Sequence, residues 1–134
     1  MRAVLRDRRK YAVCLLLAAL LYFLNNTLLK PCSGGLLNRF CRCWLNDMLA
    51  PVCLLSALNI MLAPAGREVT DLRIILLIGL AAGIFWETAG PVINPRLVAD
   101  PWDVAACLAG SAAFAAATGN LIPLPAGPKK GSML

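Results

Sequence analysis

Four of the seven acidic residues of this chain, Asp47, Glu87, Asp100 and Asp103, and three arginines, Arg39, Arg42 and Arg96, stand at the ends of apolar runs rather than within them. A charge at the middle of a membrane helix costs roughly 2.5–3.5 kcal/mol, and less near an interface. Such residues therefore either rest in headgroup water or face one another around a polar ligand. Spacing turns two of them inward. Glu87 follows Gly83 by one helical step of four, on the face of a GxxxG pair made with Gly79. Asp103, Ala106 and Gly110 recur at i, i+3 and i+7, which sets Asp103 above a second seam of small residues. Small residues mark the faces on which membrane helices pack. With the two seams against each other, Glu87 and Asp103 approach one spot and require a counter-charge, which Arg96 in the intervening loop is placed to supply. The expectation is a charge cluster of Asp47, Glu87, Arg96, Asp100 and Asp103 that binds a lipid headgroup or amphiphile, or else holds the helices together.

Paired carboxylates also serve acid/base chemistry, so an enzyme has to be considered. The chain has no histidine. It shows no HExxH, no glycine-rich phosphate loop and no GxSxG, so no catalytic residue is assigned and enzymatic activity is disfavoured but left open. Six cysteines are many for the length. Cys14, Cys53 and Cys107 fall inside apolar runs, where a thiol serves as a small apolar filler. Cys32, Cys41 and Cys43 share the segment between the first two runs, and a disulfide from Cys32 to Cys41 or Cys43 would staple it if that segment meets an oxidising compartment. A C-x-C plus one further cysteine, without histidine, gives too few ligands for zinc. No metal or other cofactor is expected.

The elements that must position these residues are membrane helices. Hydrophobic residues make up 60% of the 134, charged ones 15%, and the mean hydropathy is +0.72. That composition excludes a disordered chain and disfavours a soluble domain. Apolar runs at 11–29, 45–63, 72–89 and 104–122 predict an all-α integral membrane bundle of about four transmembrane helices, forming a single multi-pass domain over 1–134. The 30–44 stretch mixes Pro31, Gly34 and Gly35 with Arg39, Arg42, Leu36, Leu37, Phe40 and Trp44, as an interfacial amphipathic segment does. Pro51 is expected to free a carbonyl and kink the second helix. The 64–71 stretch predicts a short polar turn, 90–102 a surface or re-entrant loop, and 123–134 a proline-rich cytoplasmic tail. The basic N-terminus followed by an apolar run is compatible with a signal peptide, but Asn25, Asn26 and Thr27 offer no small-residue cleavage site, so an uncleaved first helix is expected.

Net charge is +6, from 13 lysines and arginines. Their place at the ends of spans argues for lipid contact and orientation and against nucleic acid. Arg2, Arg6, Arg8, Arg9, Lys10, Arg67, Arg73, Lys129 and Lys130 fall on one side of a four-span arrangement, against Lys30, Arg39, Arg42 and Arg96 on the other. The bias predicts both termini in the cytoplasm and the acidic residues at the outer face. Membrane lipids are the expected partners, with a membrane-protein partner or a homo-oligomer also possible on the small-residue seams.

The 87–110 stretch resembles the C-terminal half of VanZ-like membrane proteins, small multi-pass bacterial proteins named after a glycopeptide-resistance accessory. Their pattern is a Glu ending a helix, a Pro and an Arg in the next loop, and an Asp opening the last helix with a Gly seven residues on. Here these are Glu87, Pro95, Arg96, Asp103 and Gly110, with Gly90 and Cys107 where the family carries Gln and Asn. The resemblance implies a bacterial plasma membrane and an effect on envelope composition or antibiotic tolerance. A non-catalytic accessory subunit of a larger membrane complex, or a small transporter acting as an oligomer, are the alternatives.

Overall fold

The computed structural model describes residues 2–29, 31 and 34–121, most of them helical and none in a strand. Helix α1 spans Arg2–Leu24 and widens into a π-helical turn at Asn25–Leu29. There Asn26 Nδ2 and Thr27 Oγ1 donate to the carbonyls of Tyr22 and Phe23, each at 2.8 Å. Short polar side chains that bond back to the helix in this way loosen it. Helix α2, Gly35–Cys43, has Leu36, Leu37, Phe40 and Cys41 on one arc and Asn38, Arg39 and Arg42 on the other. Leu36 is 88% exposed while Cys41 is buried. Helix α3 covers Leu45–Leu62 and runs on into a 3₁₀ turn, Ala63–Ala65. Helix α4 covers Leu72–Ile93 and α5 covers Pro101–Thr118.

Three stretches, Arg8–Leu29, Leu45–Ala65 and Leu72–Ile93, are long and apolar enough to cross a membrane. Their outward faces carry Leu16, Leu17, Leu20, Phe23, Leu77, Ile84 and Phe85, all exposed. Apolar surface on that scale belongs against another apolar phase. Helix α5 is not among the three, because it is built of alanine and other small residues. It packs between α3 and α4 and buries Ala106, Cys107, Gly110, Ser111, Phe114 and Ala115.

One end of the bundle holds the main apolar cluster, Tyr11, Leu55, Val69, Ile75, Phe114 and Ala115. Tyr11 stacks on Phe114 with centroids 6.1 Å apart. The 67–70 stretch, expected as a polar turn, tucks Val69 fully inside. Asn59 makes that tolerable: its Oδ1 accepts from the Val69 N–H at 2.6 Å and its Nδ2 donates to the Val69 carbonyl at 3.4 Å. Tyr11 Oη donates to Glu68 at 3.0 Å, with Lys10 Nζ 4.0 Å from the same carboxylate. At the opposite end, Asn25 is buried and its Nδ2 donates to the Cys41 carbonyl and to Asn46 Oδ1, both at 2.8 Å, tying α2 to the junction of α1 and α3.

Two boundaries differ from expectation. Helix α4 does not stop near Ala89 but continues through Pro91 to Ile93, because a proline in the last turn removes only the bond to the carbonyl four residues back. Helix α5 starts at Pro101 with Asp100 as its N-cap, an arrangement that suits a proline whose missing N–H would be unpaired there anyway. The 123–134 tail, Lys30 and Cys32 lie outside the described residues.

Candidate functional site

The α2 end of the bundle opens into a cleft of about 270 Å³ lined by Asp47, Glu87 and Asp103, with Gly83, Trp86, Gly90, Pro91, Leu97, Val98, Ala99 and Cys107. Each acid comes from a different helix: Asp47 from the first turn of α3, Glu87 from the last turns of α4, and Asp103 from the first turn of α5. Close backbone approach is what gathers them. A Cβ on Gly110 would strike the Met48 backbone, lying 2.7 Å from its carbonyl carbon, so α5 presses on α3 directly beneath Asp47. A Cβ on Gly83 would lie 3.1 Å from the Val104 Cα and 3.3 Å from the Cys107 Cβ, and one on Gly79 would fall 2.9 Å from the Ser111 Cβ. The GxxxG of α4 therefore packs on the Val104, Cys107 and Ser111 side of α5. The seam that contains Gly110 meets α3 instead, so the two seams do not face each other, and α5 presents a separate contact face to each neighbour.

Two prolines remove helical hydrogen bonds at the cleft acids. Pro51 lacks the N–H that would bond the Asp47 carbonyl, and Pro91 lacks the one that would bond the Glu87 carbonyl. The first vacancy is filled by Cys107, whose Sγ donates to the Asp47 carbonyl at 3.4 Å. Acid and proline thus recur at the same four-residue spacing, in α3 and in α4. That repeat was legible in the sequence, and it marks two cleft acids whose own carbonyls lose their helical donor.

Asp103 stands one residue before the apolar run of α5, in hydrogen-bonding reach of Glu87. Burial pushes its carboxyl up to about 6, aided by the charges of Asp47, Glu87 and Asp100 and by the contact with Glu87. Like charges crowded into one partly dry place disfavour the ionised form. The cleft therefore holds a carboxyl that exchanges its proton close to neutrality.

The remaining expected residues go elsewhere. Asp100 does not line the cleft, and its Oδ1 caps α5 by accepting from the Trp102 N–H at 3.1 Å. Arg96 lies exposed in the 94–100 loop, its backbone N–H donating to Asn94 Oδ1 at 3.1 Å, and it is not a wall of the cleft. What the loop contributes is an apolar rim of Leu97, Val98 and Ala99. Arg39 and Arg42 are exposed on α2. Cys41 and Cys43 hold free thiols, one buried and one exposed, and the expected bridge to Cys32 lies outside the described residues. Among the described residues no group of three or more histidines, cysteines or acids is arranged to hold a metal ion.

No protein-family model, no curated protein and no solved structure matches this chain. Of the residues that carry the VanZ-like resemblance, Glu87 and Asp103 line the cleft, Pro95 and Arg96 sit on the exposed loop, and Gly110 lies against Met48.

Proposed function

We propose that this chain is a four-span membrane protein whose cleft binds the ammonium headgroup of an amine-bearing amphiphile at the outer leaflet. The observation that carries the reading is the convergence of Asp47, Glu87 and Asp103 on one partly apolar cleft, with no arginine among its described lining residues. A phosphate alone would be repelled there. A primary ammonium offers three N–H donors to carboxylates and carbonyls, and the lipid stem attached to it matches the apolar rim of Trp86, Leu97 and Val98. This reading keeps the expected headgroup or amphiphile, and the three acids of the cleft favour a cationic one.

In this reading α5 from Val104 onward crosses beside α3 and α4 as the fourth span, its small side chains facing protein more than lipid, with Asp103 at its outer end. Helix α2 lies in the outer interface, and both termini face the cytoplasm of a bacterial cell, as the lysine and arginine bias favours. Holding or presenting amine headgroups is the route by which the chain would affect envelope composition or antibiotic tolerance.

The test compares phosphatidylethanolamine with phosphatidylcholine of the same acyl chains, bound to the full chain in mild detergent and read by native mass spectrometry. The primary ammonium should be preferred, and Glu87→Gln with Asp103→Asn should weaken its binding by roughly tenfold or more, since a hydrogen bond to a charged group contributes about 1.5–3 kcal/mol. Equal retention of both lipids, or a preference that survives the double substitution, overturns the proposal.

A further inference from the structure

A second groove runs along the bundle at the end away from the cleft. It is lined by Arg9, Lys10, Val13, Cys14 and Leu17 of α1 and by Ala117 of α5, with a volume of about 450 Å³. We propose that it seats one anionic phospholipid, its phosphate on Arg9 and Lys10 and its acyl chain along Val13 and Leu17.

The groove exists because α5 ends in alanines. Tyr11 and Phe114 hold the two helices together by stacking, and beyond them Ala117 is too small to reach α1. The residues from Arg9 to Leu17 follow the helical steps of three and four, so they share one face, and the rise between the two ends is about 12 Å. That length suits a stretch of acyl chain lying parallel to a membrane helix. The charge at the head is one-sided. Arg9 is exposed, and Lys10 is held in place by Glu68 at 4.0 Å and by the Tyr11 ring, 4.8 Å from its centroid. Arg8 and Arg67 belong to the same end, where Glu68 is paired with Lys10 and Tyr11. Basic residues beside an anionic leaflet contribute attraction of about 1 kcal/mol each. An anionic headgroup with its chain attached satisfies the basic head and the apolar walls at once.

This inference rests on the membrane placement proposed above and is independent of what the acidic cleft binds. Its test uses the full chain in mild detergent with phosphatidylglycerol or phosphatidylcholine of identical chains, read by native mass spectrometry, and glycerol phosphate as a probe without a chain. Phosphatidylglycerol should be retained in preference, and glycerol phosphate should not bind. Arg9→Gln should lower phosphatidylglycerol affinity about fivefold. Ala117→Leu, at an exposed position that tolerates the larger side chain, should fill the groove and lower it as well. Asp103→Asn should leave it unchanged, which separates this site from the cleft. A chain recovered in the soluble fraction without detergent defeats the membrane placement before any lipid is added. No preference between the two lipids, binding of glycerol phosphate alone, or a preference unmoved by either Arg9→Gln or Ala117→Leu overturns the groove.

Discussion

Asn59 and Glu68 close their hydrogen bonds inside the end of the bundle that holds Tyr11, while Asp47, Glu87 and Asp103 bring three acids to one cleft at the other. The packed end meets Asn59 and Glu68 with specific partners: a backbone pair for Asn59, a phenol and a lysine for Glu68. The cleft end gathers groups that repel one another and loses two helical hydrogen bonds to proline, one of them replaced by the Cys107 thiol. Unfavourable arrangements of this kind persist in folded proteins where something outside the apo chain compensates. The contrast places the stabilising contacts at one end and the proposed binding site at the other.

Asn59→Leu should produce the largest effect, by striking the packed end. It leaves both the N–H and the carbonyl of Val69 buried without a partner, at about 1–3 kcal/mol for each group. Thermal denaturation in mild detergent should show a large drop in melting temperature, together with loss of hydrogen-exchange protection at the Val69 amide. A variant that melts like the parent would remove the distinction between the two ends.

Asp103→Asn should act in the opposite direction and more weakly. A carboxyl raised to about 6 is disfavoured in its charged form by the fold, so the parent loses stability as pH rises from the ordinary carboxyl range through 6 and then levels off. Removing the charge should raise the melting temperature at pH 7.5 and flatten its dependence on pH between 5 and 7. In the parent, ammonium binding should weaken as pH falls through 6, when Asp103 gains a proton. A melting temperature that is no higher for Asp103→Asn at pH 7.5 would mean that the carboxyl is well solvated.

Much of this contrast could be read from sequence, and the failures have identifiable causes. Asp47, Glu87 and Asp103 were legible because an acid at the end of an apolar run, above a seam of small residues, has few places to point. The helical runs were legible from hydropathy, although α5 shows how alanine lowers that signal while improving the packing that buries it. The pairing of faces was not legible. Gly79, Gly83 and Gly110 announce close approach, but not which neighbour approaches, and one helix can offer two faces. The buried role of Asn59 was equally hidden, since an amide capping an extended stretch ten residues on leaves no periodic trace. The helix expected over 72–89 runs on to Ile93, because the cost of Pro91 in its last turn is a single carbonyl bond.

Arg96→Ala should give the smallest effect, and it tests which geometry governs the cleft. If Arg96 neutralised Glu87 and Asp103, deleting it would strand two carboxylates in a poorly hydrated place, and breaking such a buried pair costs about 3–5 kcal/mol in soluble proteins. The side chain is instead exposed on the 94–100 loop, and its backbone N–H, which an alanine retains, is what bonds Asn94. Surface substitutions of this kind stay within about 0.5 kcal/mol. The melting temperature of Arg96→Ala should therefore match the parent, and its preference for phosphatidylethanolamine should be undiminished, because Arg96 is not a wall of the cleft. A substantial loss of stability that Glu87→Gln with Asp103→Asn then restores would show the arginine folded over the acids, and the cleft would be a closed ion cluster rather than an open cation site.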